Sequence, residues 1–272
     1  MNSISLGQYY PARSPIHRAD PRMKVIIAIL YIVCTFLCKN IFSFLLLLAS
    51  ALLLIIISKI PLKTVMRGIR PVIIIMAVTS IINIFWTKGE VLLVEFWKIQ
   101  IYLEGVYNAF LLIIRFVVLI IGTSMFLTYT TTPIALTDAI EDLLKPLSFI
   151  GVPVHDFAMM MTIALRFIPT LVDETDKIMT AQKARGADFT SGSIQKRAKA
   201  LIPVLIPLFV SAFRRAEELA VAMECRCYMG GKGRTRMTVR KLRFSDFVAL
   251  FAVLLLGGGI VALNILGFGY SM

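Results

Sequence analysis

Residues 41–57 read IFSFLLLLASALLLIII, a run without a single charged side chain. A membrane-spanning helix needs about 20 predominantly apolar residues, within a range of roughly 17–25. This run is therefore long enough to cross a bilayer, and it decides the class of fold. The whole chain agrees, because 58% of its 272 residues are hydrophobic, whereas soluble domains average roughly 45–50%.

Four other runs extend this pattern into a multi-pass chain: 23–38, 72–86, 106–128 and 247–266. Only Lys39 and Asn40 separate the first two spans, so these form a tight hairpin. Basic residues between 59 and 70, with Pro61 and Pro71 as breaks, mark a cytoplasmic loop, while the glutamates of 87–104 mark an external one. We predict five spans, a cytoplasmic N-terminus and an external C-terminus.

The domain plan follows from the spans. Residues 1–22 form a cytoplasmic N-terminal segment, 23–128 hold four transmembrane helices, and 244–272 hold the last. Between them, 129–243 is a cytoplasmic or interfacial insert of amphipathic helices. The predicted fold is an all-α integral membrane protein.

Charge and cysteine content exclude several classes of function. The formal net charge is +13, which positive charge on the cytoplasmic side of a membrane protein explains. No aromatic and basic platform for nucleic acid accompanies it. The four cysteines are too few and too poorly placed for a disulfide framework, and the two histidines, His17 and His155, lie far from them. We predict reduced thiols and no metal site.

The first half of the insert contains two predicted helices. Thr132 and Pro133 start a short amphipathic one that ends before Pro146, and 151–153 breaks the chain. A longer helix begins at Asp156, and Pro169 either kinks it or starts a new segment. We predict that it lies at the interface, while a membrane-embedded hairpin remains an alternative. One apolar stripe recurs along it, at Phe157, Met161, Ala164, Ile168 and Leu171.

This longer helix is predicted to end at Ala184-Arg185-Gly186. Acidic residues come first and basic ones last, which suits the helix dipole, and Gly186 can adopt the left-handed conformation that ends a helix. Arg185 would then be presented on the final turn with fork geometry for a carboxylate or carbonyl of another protein. The plainer alternative is a solvated arginine that complements the dipole.

A second helix is predicted from about Phe209 to Tyr228, with Pro203 and Pro207 before it. It carries Cys225-Arg226-Cys227 near its end, and its predicted stop is the glycine pair 230–231. Arg214 and Glu218 form an i,i+4 pair. The apolar stripe of this helix, whose alanines allow close crossing by another helix, consists of Phe209, Phe213, Ala216, Ala220 and Met223.

These residues resemble the transmembrane (T) component of energy-coupling factor transporters, the EcfT family, over essentially the whole chain. The family's signature is a pair of Ala-Arg-Gly motifs ending two cytoplasmic coupling helices. The first matches as Ala184-Arg185-Gly186. The second departs from it, since Cys225 and Cys227 flank Arg226; cysteine adopts the left-handed conformation less readily than glycine, so the helix is expected to run on toward Gly230. Further similar stretches are 10–11, 14–24, 132–133, 151–153 and 165–169.

The resemblance implies a subunit of an ABC-type importer of vitamins or related micronutrients in the plasma membrane of a prokaryote. Two cytosolic ABC ATPases, of the EcfA and EcfA' type, would dock on the motifs around Arg185 and Arg226 and hydrolyse ATP with Mg; this chain would bind no cofactor. A separate S component would bind the substrate, and the N-terminal match indicates the form that serves several S components. Membrane lipid is the other partner.

Two further groups of residues carry hypotheses. An S component is expected to contact the helix after Asp156; the alternative is that this helix makes ordinary core or lipid contacts. Arg115 lies in the middle of a span, and we favour a structural role for it, as a bond to carbonyls near the insert or to another span. The residues proposed for the S-component contact are Phe157, Met160, Met161, Ala164 and Ile168.

Two other classes of membrane protein fit the sequence less well. A membrane-embedded enzyme would need paired acids or a metal motif at membrane depth, and neither is present in the sequence. An ordinary ABC permease would need a hydrophilic substrate path, yet few polar residues lie in the spans. No Walker A motif occurs, so this chain should not hydrolyse ATP alone, and the resemblance implies a non-catalytic subunit.

Overall fold

The computed structural model describes residues 9–12, 14–87, 89, 91–96, 99–189, 191, 193–230 and 242–266. The chain folds as two compact units, one containing Ile140–Thr238 and the other Gly7–Ala139 with Val239–Met272. The elements, in chain order, are α1 (Pro15–Arg18), α2 (Pro21–Leu37), α3 (Ile41–Ser58), α4 (Leu62–Trp86), β1 (Leu92–Phe96), β2 (Ile99–Tyr102), α5 (Leu103–Thr123), a π-helical turn (Ser124–Thr128), α6 (Pro133–Leu144), a 3₁₀ turn (Lys145–Ile150), α7 (Val154–Ala184), α8 (Ile194–Glu224) and α9 (Phe244–Ile265).

Four helices among the described residues are long and apolar enough to cross a membrane: α3, α4, α5 with its π-helical turn, and α9. They correspond to four of the five predicted spans. The remaining one is α2, whose 17 residues rise only about 26 Å at 1.5 Å each. A typical hydrocarbon core is about 30 Å thick. The membrane class is therefore confirmed, while α2 is a short span at best.

The N-terminal boundary predicted for the third span is wrong. Helix α4 begins at Leu62 and passes through Pro71 without a break, so most of the predicted loop is helical. Proline removes one backbone donor and crowds the preceding turn. In membrane helices these losses are tolerated because neighbouring groups satisfy the freed carbonyls.

A short β-hairpin interrupts the helical architecture where the sequence predicted only an external loop. Strands β1 and β2 pair antiparallel, with Phe96 opposite Ile99 and Leu92 opposite Tyr102. The alternation of apolar and polar residues in this stretch is too short to distinguish a strand from a loop. The fold remains a helical membrane protein with one two-stranded exception.

The membrane unit is held together by an apolar core between α2, α3, α5 and α9. Tyr31 of α2 is 1% exposed and its ring lies edge-on to Phe126, with the centroids 6.0 Å apart. Because lipid tails are as apolar as these side chains, van der Waals packing between the helices stabilises this core within a bilayer. Other fully buried members of this core are Ile27, Phe44, Leu47, Leu111, Val118 and Ile260.

Arg115 lies within α5 and contacts the hairpin between α2 and α3. Its Nη2 donates to the carbonyl of Cys38 at 2.9 Å, and its guanidinium lies 5.2 Å from the centroid of the Phe44 ring. Cys38 directly follows the last residue of α2, and carbonyls at the end of a helix have no N–H partner within that helix. Arg115 supplies the missing donor. The predicted bond from Arg115 to another span is confirmed.

The second unit consists mainly of α7 and α8, each 31 residues long. Helix α7 begins at Val154 and continues through Pro169. Helix α8 begins at Ile194, with Ser193 as its N-cap, and contains both Pro203 and Pro207. The predicted start near Phe209 is therefore wrong, because the two prolines lie within the helix and do not precede it.

Candidate docking surfaces on the second unit

The end of α7 forms a Schellman motif around Arg185. The amide of Ala187 donates to the carbonyl of Gln182 at 3.0 Å, and that of Gly186 donates to Lys183 at 2.9 Å. This pair of bonds requires a left-handed residue at the position of Gly186, whose φ is +87°. The sequence prediction for this helix end is confirmed.

The end of α8 repeats the same motif around Arg226. The amide of Tyr228 donates to the carbonyl of Met223 at 3.0 Å, and that of Cys227 donates to Glu224 at 2.8 Å. Cys227 occupies the left-handed position with φ of +56°. The expectation that this helix runs on toward Gly230 is therefore wrong. Two hydrogen bonds compensate for the unfavourable backbone of a non-glycine residue.

Both motifs place an arginine in the same geometry. Arg185 and Arg226 each precede the left-handed residue, and both side chains are exposed, as are Ala184, Cys225 and Cys227 beside them. The last carbonyls of a helix carry partial negative charge, which attracts cations. An exposed guanidinium at such a helix end offers several donors in a planar fork, a shape that matches carboxylates and carbonyls of another protein.

Small residues line the face of α8 that packs against α7. Ala212, Ala216 and Ala220 border a cavity of about 320 Å³ between the two helices. Short side chains let helix axes approach closely, as the sequence predicted for Ala216 and Ala220. The rest of the lining is almost entirely apolar: Met159, Ile163, Phe167, Leu171, Leu219 and Met223, with Arg215.

Among the residues that the structure describes, one ion pair joins the two helices beside this cavity. The Nη2 of Arg215 donates to Oε2 of Glu174 at 2.8 Å, and the side chains are 38% and 22% exposed. The predicted pair between Arg214 and Glu218 is also present, at 3.3 Å, but it lies within α8 and is far more exposed. Of these two pairs, the one at Arg215 is therefore the one that can influence how α7 and α8 cross.

Helix α7 carries two apolar faces, and the sequence resolved only one stripe. Leu171 lies on the face toward α8, whereas the residues expected to contact an S component lie elsewhere. Met160 is 58% exposed, Met161 47% and Phe157 63%. Ala164 and Ile168 are exposed as well. The structure brings these five residues together on an unburied surface, which we call the α7 apolar face.

Sequence reasoning missed a comparable surface on the first half of α8. Because the predicted helix began only after Pro203 and Pro207, the apolar residues before Phe209 were not assigned to it. They recur at helical spacing, which is the signal that identifies the surface. Its exposed members are Leu201, Ile202, Leu205, Ile206, Phe209, Val210 and Phe213.

The stretch 14–24 of the resemblance lies in the membrane unit, where it connects several helix ends. Ser14 caps α1, and its hydroxyl lies 2.7 Å from Nδ1 of His17. Nε2 of His17 donates to the carbonyl of Tyr10 at 2.9 Å. Burial lowers the pKa of His17 below its usual value, and the nearby Lys24 lowers it further. These contacts connect α1 to the segment that precedes it.

Comparison with known proteins gives a consistent result. The cobalt transport protein family matches residues 12–237. The chain is similar to the energy-coupling factor transporter transmembrane protein EcfT of Clostridium kluyveri, with 51% identity over 94% of this chain and 95% of the relative. The protein of the same name from Ruminiclostridium cellulolyticum is 53% identical over 92% of each chain. That from Listeria innocua is 45% identical over 95% of this chain and 97% of the relative.

Proposed function

The chain belongs to the cobalt transport protein family and, within it, to the energy-coupling factor transporter transmembrane proteins, and from this membership we propose that it couples two ATPases to a substrate-binding subunit. The observation that carries the proposal is the pair of equivalent helix ends at Arg185 and Arg226. Two copies of one docking geometry on two helices of equal length fit two related partners.

Each arginine docks into one cytosolic ABC ATPase. The partners bind ATP and Mg and hydrolyse the nucleotide, while this chain is a non-catalytic subunit. Since both helix ends have the same backbone geometry, the choice of partner depends on side chains around the motifs. Gly186 at the end of α7 and Cys227 at the end of α8 are the clearest such difference.

Closure of the ATPase dimer would move the two helix ends and thereby alter the crossing of α7 and α8. The alanines of α8 permit sliding of this kind, because small side chains form few interlocking contacts. ATP can bias the crossing only if the docking contacts differ between the open and closed dimers. The proposal therefore requires that Arg185 and Arg226 have different surroundings in the two states.

The α7 apolar face is the proposed contact for an S component. Flexible methionines such as Met160 and Met161 can repack against different partners, which suits a subunit that serves several S components. A crosslinker placed at either methionine should capture the S component. The matched control is Ile163, which faces α8; equal capture from Ile163 would remove this assignment.

The proposed location is the plasma membrane of a prokaryote, with the N-terminus and the insert cytoplasmic and the C-terminus external. The chain's own cysteines offer a test, because Cys225 and Cys227 are exposed and Cys34 and Cys38 are buried. A membrane-impermeant thiol reagent should label opened cells only. Labelling of intact cells that disappears in the Cys225→Ser, Cys227→Ser variant would reverse the orientation.

Coexpression tests the class of function. The chain is produced with two candidate ATPases and an S component, and ATP hydrolysis and vitamin uptake are measured with and without it. The proposal expects a complex that transports only when all subunits are present. Uptake by the chain and ATPases without any S component would favour an ordinary permease instead.

A further inference from the structure

A polar cavity of about 510 Å³ lies in the membrane unit, and none of its lining residues belongs to the proposed docking surfaces. Pockets that hold small ligands typically measure roughly 300–1,000 Å³. The lining contains five charged side chains together with His17: Arg18, Asp20, Lys24, Arg243 and Asp246, and the remaining positions are Tyr9, Ala19, Pro21, Thr130, Thr131, Thr132 and Ala135. Charge at this density is unusual beside membrane helices and indicates a function.

The starts of three helices meet at this cavity. Asp20 is the N-cap of α2, and the carboxylate of Asp246 caps α9 by accepting from the amide of Arg243 at 2.9 Å. Thr132 caps α6 by accepting from the amide of Ala135 at 3.3 Å. Helix N-termini carry partial positive charge and bind phosphate-like anions. Only the start of α6 has a neutral cap among the three.

The floor of the cavity is already built from buried charges. Lys24 is 2% exposed, and its Nζ donates to the carbonyl of Thr130 at 2.9 Å and to Oγ1 of Thr131 at 3.4 Å. Asp246 is 1% exposed and also accepts from the amide of Asp20 at 3.3 Å. In contrast, Arg18 and Arg243 are exposed. These two guanidinium groups are thus available to an anion at the cavity mouth.

The carboxylate of Asp20 requires a hydrogen-bond donor from the ligand, whereas the arginines require an anion. Its side chain is 3% exposed, and Oδ1 accepts from the amide of Arg22 at 2.9 Å. The other oxygen, Oδ2, is buried and accepts no hydrogen bond from the residues that the structure describes. A buried carboxylate oxygen without a donor costs free energy. A ligand with a hydrogen-bond donor next to its phosphate would satisfy both Asp20 and the arginines.

The position in the fold identifies the ligand class. The cavity lies where α2 and α9 begin and where the span formed by α5 and its π-helical turn has just ended. The ends of membrane helices lie at the level of the lipid headgroups. Basic pockets between such helix ends bind phospholipid headgroups.

We propose that this cavity binds the headgroup of a phosphatidylethanolamine lipid, with the phosphate at Arg18 and Arg243 and the ammonium at Asp20. The lipid links three segments that are distant in the sequence, namely 9–24, 130–135 and 243–246. Its binding therefore stabilises the membrane unit, and the proposal does not depend on the ATPase partners.

Native mass spectrometry of the full chain in detergent tests the proposal, with phosphatidylethanolamine compared to phosphatidylcholine of the same acyl chains. Both lipids carry the phosphate, but only ethanolamine has N–H donors. We expect about tenfold tighter binding of phosphatidylethanolamine, as for one charged hydrogen bond, and a similar increase in thermal stability. Equal binding of the two lipids would overturn the proposal.

Variants connect the binding to the cavity. Arg18→Gln with Arg243→Gln should weaken both lipids about tenfold, whereas Asp20→Asn should remove the preference for ethanolamine. The matched control is Arg67→Gln with Arg70→Gln, which removes two exposed arginines from α4 outside the cavity. An equal loss of lipid affinity in the control would show that the lipids are attracted to surface charge alone. Displacement of the bound lipid by soluble phosphoethanolamine at the same concentration as the lipid would contradict a lipid ligand.

Discussion

Gly186 and Cys227 occupy the same position at the ends of α7 and α8, each directly after an arginine and each with a positive φ. The two residues differ in chemistry, yet the same two backbone hydrogen bonds surround them. The helix end is therefore set by the arrangement of carbonyls and amides, and the residue type modifies only its free energy. This equivalence underlies the account of two docking helices.

Opposite substitutions at these two positions should have opposite effects. Gly186→Ala should destabilise the end of α7 by about 1 kcal/mol, since an L residue is unfavourable there. An added Cβ would meet nothing within 4 Å, so the effect is conformational. Cys227→Gly should stabilise the end of α8 by up to about 1 kcal/mol. Hydrogen exchange at the amides of Ala187 and Tyr228 measures both; changes of the same sign would contradict the equivalence.

The ion pair between Glu174 and Arg215 should contribute to the crossing of α7 and α8. A double-mutant cycle with Glu174→Gln and Arg215→Gln should give a coupling energy of about 0.5–1 kcal/mol, because the groups are partly exposed and screened. The matched cycle at Arg214 and Glu218 should give no more than about 0.5 kcal/mol. Thermal unfolding in detergent provides both values, and a larger coupling in the second pair would exclude a special role for Arg215.

Close packing of α5 against α2 depends on Gly122. A Cβ at this position would collide with the ring of Tyr31, which is 1% exposed and cannot move into solvent. Gly122→Ala should therefore destabilise the membrane unit by about 1–3 kcal/mol. Gly258→Ala in α9 is the control, since nothing lies within 4 Å of its Cβ. Unfolding temperatures of the two variants should differ; equal values would refute this packing.

The N-terminal segment should lose stability in acid through His17. Burial lowers its pKa in the folded protein below the usual value of 6.5, so the unfolded chain binds the proton more readily. The contribution of the neutral ring is complete above pH 6.5 and decreases as the pH falls toward the folded pKa. Thermal unfolding between pH 7.5 and 5 should decline more in the wild type than in His17→Gln. A steeper decline in the variant would reverse the assigned sign.

The sequence predicted the membrane class well because a long uncharged apolar run such as 41–57 has few possible structures other than a membrane-spanning helix. Proline marked the start and the end of α6 correctly, at Pro133 and before Pro146, but it gave false boundaries at Pro71 in α4 and at Pro203 and Pro207 in α8. The cost of an interior proline is roughly 3 kcal/mol, and contacts made by a helix of 25 or 31 residues can offset it. Such contacts are invisible in a local pattern.

The candidate site shows the same division between local and distant information. The end of α7 was predicted because Gly186 has an intrinsic preference for positive φ. The end of α8 was placed too late because Cys227 has no such preference, and its conformation depends on hydrogen bonds with Met223 and Glu224. Glu174 and Arg215 are 41 residues apart in the sequence. Their pairing depends on how α7 packs against α8, which a local sequence pattern does not show.

Retention of ATPases by charge-reversed variants tests the central proposal most directly. Arg185→Glu and Arg226→Glu are each purified with both ATPases, and the ATPase subunits retained per chain are counted. The controls are Lys177→Glu on α7 and Arg214→Glu on α8, both exposed and away from the helix ends. We predict that each helix-end variant loses one ATPase and that the double variant loses both, while the controls retain two. Full retention and full transport by the double variant would contradict the account.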